Sequence, residues 1–182
     1  MNDNDNSQDE FEQAMDMARS LLGQDSDNSE ALEANELVGK ALALRPSSTS
    51  AWTLKCQVLS ALSDDTAALA CIEMAIHHAP KAAEAHYWRA AVLADLARPD
   101  EALKAIERCF RYMKTDDYWL LEDLYCEKAI LLDATGRNDE AVATYEAGLK
   151  RCPRSSLLND GLAPLRRATL KSNFKVLRGG LG

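Results

Sequence analysis

Five cysteines, three histidines and 29 acidic side chains are the groups in this 182-residue chain with the most scope for chemistry. Cys56, Cys71, Cys109, Cys126 and Cys152 are odd in number, and no two stand in a C-x-x-C spacing. The spacing predicts reduced thiols that pack as small apolar residues. His77, His78 and His86 pair with no Cys, Asp or Glu at a metal-ligand spacing such as H-E-x-x-H, so neither a metal nor a cofactor is expected. Eight glycines, three of them in the last four residues, leave no phosphate-cradling loop. No G-x-S-x-G elbow occurs. The adjacent acids Asp64-Asp65 and Asp116-Asp117 fall where helices should start, and capping accounts for them. No catalytic residue is expected, and the chain does not read as an enzyme.

The length suits one compact domain or a short repeat array. The net charge is -8, with 29 acids against 21 bases. A global acidic balance argues against binding to nucleic acid or to anionic membrane. The longest apolar run, Ala67 to Ile72, is far too short to span a bilayer. The start lacks a basic and an apolar region, so no secretory signal is expected and the expected location is cytoplasmic. The charge is polarised along the chain. Residues 1–30 hold nine acids and one base, residues 31–150 hold 19 acids and 13 bases, and residues 151–182 hold one acid and seven bases.

These charges must be positioned by helices, and the helices repeat. Shifting the chain by 34 residues lays Trp52 on His86, Cys56 on Ala90, Leu59 on Leu93, Ala68 on Ala102, Ile72 on Ile106 and Ala75 on Cys109. A further shift of 39 brings Tyr125, Ala129, Leu132, Ala141, Tyr145 and Gly148 into register. Shifting backward aligns Ala34, Val38, Ala41 and Pro46 with Ala68, Ile72, Ala75 and Pro80. Apolar residues recur at three- and four-residue steps, so each unit reads as two amphipathic helices. Ser63-Asp64-Asp65, Pro99-Asp100-Glu101 and Gly136-Arg137-Asn138-Asp139-Glu140 supply the turns between them. Pro46, Pro80 and Pro153 end units. No β-branched alternation occurs, and no sheet is expected.

On these columns the chain resembles the tetratricopeptide repeat (TPR), a helix–turn–helix unit of 34 residues. The resemblance covers residues 49–153, with a degenerate first unit before them. It implies an all-α fold, a right-handed α-α superhelix. About three consensus-like repeats, near 49–82, 83–116 and 117–153, follow an acidic N-terminal segment and degenerate helix pair over 1–46. A basic C-terminal capping helix and flexible tail occupy 154–182. The first unit's helices are expected near Gln8 to Leu22 and over 29–44, joined by a loop at Gly23 to Asn28. The capping helix is expected from Ser155 to Lys171, with Pro164 in its first turn or at a kink.

In this family the concave wall, made by the first helix of each pair, is the usual binding surface. The resemblance places Thr53 and Gln57 there from the first good unit. From the second come Glu84, Tyr87, Trp88, Ala91 and Asp95, and from the third Asp123, Cys126, Glu127, Ile130 and Asp133. One family subset grips a partner's C-terminal carboxylate with bases in this lining. Here the lining has no base, and Glu84, Asp95, Asp123 and Asp133 would repel a carboxylate. The expected partner is a protein or peptide segment with apolar anchors and Lys/Arg.

The implied function is a non-catalytic scaffold, adaptor or assembly co-chaperone. Two alternatives stand beside it. One is a secretion-type chaperone for an apolar client segment. The other is a self-assembling structural protein whose basic C-terminus docks in the acidic groove, making a homo-oligomer. Five extra residues precede the third unit and predict a first helix there lengthened by over a turn and capped near Thr115 or Asp116. Tyr118, Trp119 and Leu120 either project as a binding rim or pack under the preceding helix, and core packing is the favoured expectation.

Overall fold

The computed structural model describes residues 3–23 and 28–179, and side chains up to Arg167 apart from a few positions. Among the described residues there are nine α-helices and no strand. They are α1 (Asp3–Leu21), α2 (Asn28–Leu44), α3 (Thr49–Ala61), α4 (Asp65–His78), α5 (Ala83–Asp95), α6 (Pro99–Tyr112), α7 (Leu121–Ala134), α8 (Asn138–Arg151) and α9 (Ser156–Gly179). The chain divides into two compact units, Met1–Met113 and Lys114–Gly182.

In the first unit each helix packs antiparallel against its successor, and α2 and α4 also pack on α3 and α5. The small residues of the repeat columns make this close approach possible. Ala34, Val38 and Ala41 of α2 meet Phe11, Met15 and Ala18 of α1 and Ala51, Leu54 and Val58 of α3 in one core. A second core joins Cys56, Ala68, Ile72, Ala75, Ala85 and Val92, with Trp52, Leu59 and Trp88 packed against it. In the second unit α7 packs on α8, and both pack on α9 through the buried Leu158 and Leu162.

The aligned column of Trp52 and His86 has one job in both repeats. The Trp52 Nε1–H donates to the Pro46 carbonyl at 2.8 Å, and the His86 Nε2–H donates to the Pro80 carbonyl at 2.9 Å. The ring thus ties the start of each pair to the proline that ends the previous one. His86 is buried, its ring lies 5.3 Å from that of Tyr112, and its Nδ1 has no partner. Burial lowers its pKa below the ordinary 6.5, and the nearby Arg108 and Arg89 push the same way. A depressed pKa means that the unfolded chain takes up the proton first. The His86 contribution is therefore complete above pH 6.5 and is lost as pH falls through the lower folded value. In urea titrations, wild type is expected to lose more stability between pH 7.5 and 5.5 than His86→Phe does.

The turns between paired helices share one conformation. Ser63, Ala97 and Gly136 occupy aligned positions and have φ of 60°, 55° and 77°. The next amide reaches back in each: Asp64 N–H to the Leu59 carbonyl (2.9 Å), Arg98 to Leu93 (2.8 Å) and Arg137 to Leu132 (2.8 Å). This is a Schellman ending, and only Gly136 meets it without steric cost. Ala97→Gly is expected to raise the melting temperature by about 2–4 °C, and Gly136→Ala to lower it by a similar amount. Calorimetry checks both.

Several sequence expectations are corrected. The five extra residues do not lengthen α7. Thr115–Leu120 is a 3₁₀ helix, and α7 begins at Leu121. Leu120 is buried, but Trp119 is 59% exposed and is not a core residue; the Tyr118 side chain lies outside the described ones. The first helix starts at Asp3 rather than near Gln8. Helix α9 runs eight residues beyond Lys171, and Pro164 sits inside it rather than in its first turn. Most of the expected loop at Gly23 to Asn28, and the last three residues of the tail, lie outside the described residues.

Candidate functional site

Seven of the twelve lining residues lie on α3 and α5 in the first unit, and five lie on α7 in the second. On α5, Glu84, Trp88, Ala91 and Asp95 recur at steps of four, three and four, which is one helical stripe. Glu84 and Asp95 are exposed at its ends, and Trp88 and Ala91 are half-buried between them. Tyr87 stands beside the stripe, its ring 5.4 Å from that of Trp88 at 76°, an edge-to-face pair. Trp88 also leans on the core around Ile72. Its Nε1 is turned inside without a partner, so the part of the ring that meets solvent is apolar. Gln57 of α3 is half-buried.

The α7 set repeats the pattern. Asp123, Glu127 and Ile130 follow at steps of four and three, with Asp133 three residues on. Ile130 is 48% exposed, a large apolar side chain on a surface otherwise lined with acids. Asp133 is exposed, and Asp123 and Glu127 are half-buried.

Two residues expected in the lining are inside instead. Thr53 is 3% exposed and Cys126 7%. Cys126 is hydrogen-bonded with the Tyr145 hydroxyl, and Tyr145 in turn lies against Gly161 of α9. Cys126 thus faces the α8 partner helix through Tyr145 rather than the surface. Burial raises the Cys126 thiol pKa, and burial together with Cys71 and Asp65 pushes Cys56 up to about 12. Both thiols are protonated at neutral pH and are weak nucleophiles.

Glu84, Asp95, Asp123 and Asp133 make no ion pair among the described residues. Acids elsewhere do: Glu73 takes Arg89 at 2.6 Å, Glu101 takes Arg98 at 2.7 Å and Glu140 takes Arg137 at 2.7 Å. Partial desolvation, helped by Asp65, raises the Asp95 carboxyl above its ordinary value. Desolvation, helped by Glu122, does the same for Asp123. An arriving cation would relieve both. Among the described residues no cluster of His, Cys, Asp and Glu could hold a metal ion, and no helix is long and apolar enough to cross a membrane.

Residues 122–155 match the model of the tetratricopeptide repeat. No curated protein sequence matches the chain. Solved structures do, at low identity. TTC0263, a thermophilic TPR protein of Thermus thermophilus, is 22% identical, with a TM-score of 0.72 over 85% of this chain and 80% of that one. YrrB, described as a TPR protein with an unusual peptide-binding site, is 20% identical, with a TM-score of 0.62 over 86% and 76%. The TPR2B domain of yeast Sti1, solved as a complex with pHsp70, is 13% identical, with a TM-score of 0.62 over 69% and 98%. Residues 122–155 thus match a tetratricopeptide repeat, and the chain's paired helices share the fold of those solved TPR proteins.

Proposed function

We propose that the protein is a non-catalytic interaction module whose α5 face and α7 face are each a binding surface for a partner segment carrying apolar residues and Lys or Arg. The observation that carries this reading is acids with no ion pair among the described residues, set beside apolar surface: Glu84 and Asp95 around the half-buried Trp88, and Asp123 and Asp133 around the exposed Ile130. The fold supports it, because YrrB and the Sti1 domain are described by the peptide or protein that they bind. The lining has no Lys or Arg, so a partner held by a free carboxylate is disfavoured. Scaffold, adaptor and assembly co-chaperone are roles consistent with such a surface.

The test is affinity capture with mass spectrometry, comparing wild type with Asp123→Lys. The reading expects partners of the wild type to be lost by the variant, and unchanged capture would remove α7 from the site. A second check uses stability. Asp95 and Asp123 have raised folded pKa values, so their ionisation opposes folding once pH rises through those values. Asp95→Asn is expected to raise the melting temperature at pH 7 by about 1 °C and to weaken partner binding. A variant that gains stability as it loses binding marks a surface kept for a partner.

A further inference from the structure

The connection that leads into α7 differs from the others in what it displays. Short turns over 45–48 and 79–82 carry the chain into α3 and α5. The connection into α7 runs over 113–120 and contains the 3₁₀ helix Thr115–Leu120. That helix is well fixed. The Asp117 N–H donates to the Lys114 carbonyl at 3.1 Å, and the Asp117 carboxylate accepts the Lys114 N–H at 2.8 Å. Leu120 is fully buried and anchors its end. The preceding residue, Trp119, is the most exposed large apolar side chain among the described residues. A rigid turn thus holds a tryptophan ring in solvent, where side chains of that size are rarely left.

Trp119 continues the α7 surface. Trp119, Asp123, Cys126, Ile130 and Asp133 follow at steps of four, three, four and three, the spacing of one helical face. The backbone stays helical across the junction, with Leu120 at φ -77° and ψ -13°. Cys126 is buried, so Trp119 and Ile130 are the exposed apolar members of this row. Two of the acids around the ring in sequence are already engaged. Asp117 caps Lys114, and Glu122 accepts the Ser155 hydroxyl at 2.7 Å. Asp123, one turn on from the ring, makes no ion pair among the described residues. From residue 114 to residue 127 the only base is Lys114. An exposed aromatic face one turn from such a carboxylate suits a guanidinium best. Its plane stacks on the indole while its fork of N–H groups meets the carboxylate, and an ammonium cannot do both. Three helical turns separate Trp119 from Ile130, about 16 Å along the axis, and an extended segment covers that distance in about five residues.

We propose that Trp119 is the arginine-reading end of the α7 surface. An extended partner segment lays an arginine on the Trp119 ring, pairs its guanidinium with Asp123, and sets an apolar side chain about five residues away on Ile130. The inference rests on the reading of α7 as a binding face. It adds to that reading the tryptophan, the choice of arginine over lysine, and the spacing of the two anchors.

The experiment is selection of random displayed peptides on the full chain, then fluorescence anisotropy with one selected peptide, acetylated and amidated at its ends. Wild type is expected to enrich Arg over Lys, with an aliphatic or aromatic residue about five positions away. Trp119→Ala should bind the selected peptide about tenfold more weakly. Changing the peptide's Arg to Lys should cost about threefold against wild type and almost nothing against Trp119→Ala, because the ring that tells them apart is gone. Trp119→Phe keeps an aromatic face and should recover most of the affinity. Circular dichroism confirms that the variants are folded. If Lys serves as well as Arg, or if Trp119→Ala binds like wild type while Asp123→Lys does not, this inference fails and the α7 reading stands. If Asp123→Lys also binds like wild type, or if no basic peptide is enriched, both fail. Self-association of the free protein that Trp119→Ala abolishes would assign the ring to a second copy and equally overturn the proposal.

Discussion

Replacing Gly161 with alanine is expected to destabilise the second unit by about 1–3 kcal/mol, the range for forcing extra carbon into a well-packed core. A Cβ at Gly161 would stand 2.5 Å from both Cζ and Oη of Tyr145. No pair of atoms tolerates that approach, so either the ring or α9 must move. The ring is poorly placed to yield. Tyr145 is 3% exposed, its hydroxyl is engaged with Cys126, and burial together with that thiol raises its pKa. Moving α9 would pull Leu158 and Leu162 from the core they fill. Denaturant unfolding measures the loss, and a double-mutant cycle assigns its cause. Tyr145→Leu shortens the opposing side chain, so Gly161→Ala made in that background should cost markedly less than in wild type. If the two changes add within about 0.5 kcal/mol, the Tyr145–Gly161 contact is not the source of the penalty.

Trp88→Ala is expected to weaken partner binding by about 20-fold or more, the scale of an aromatic anchor lost from an interface centre. Trp88 also packs on the core beside Cys56 and Ile72, so this variant is expected to lose stability as well. Loss of binding alone would then be ambiguous. Trp88→Phe separates the two effects. Its Nε1 is inside without a partner, so phenylalanine keeps an apolar ring and removes an unsatisfied donor. Trp88→Phe should keep wild-type stability and most of the affinity. If Trp88→Ala binds like wild type while folded, the α5 stripe is not the anchor.

Much of the fold was legible because the repeat columns are steric. Cys56, Ala68, Ile72, Ala75 and their equivalents are buried, as residues that let paired helices touch must be. The alignment of Trp52 with His86 was legible too, although the hydrogen bond that explains it, ring N–H to a proline carbonyl six residues back, was not. Ser63 and Ala97 gave no sign of their left-handed backbone, since only the third turn uses glycine there. The segment before α7 was misread because Thr-Asp-Asp is good capping chemistry for either helix type, and the choice of 3₁₀ is not encoded in it. The α5 lining was read from the family resemblance, and four of its residues do recur as one helical stripe. Cys126 was misplaced because it bonds to Tyr145 of the paired helix α8, a cross-helix contact that spacing along α7 does not report.

The most direct test of the central claim is selection from a displayed peptide library against the full-length protein. Acids with no ion pair among the described residues, beside apolar surface, predict enrichment of peptides that combine Lys or Arg with aliphatic or aromatic residues. Asp95→Lys with Asp123→Lys should abolish that enrichment or shift it toward acidic peptides. Selection of acidic or free-carboxylate peptides by the wild type, or the same basic peptides by the reversed-charge variant, would contradict it.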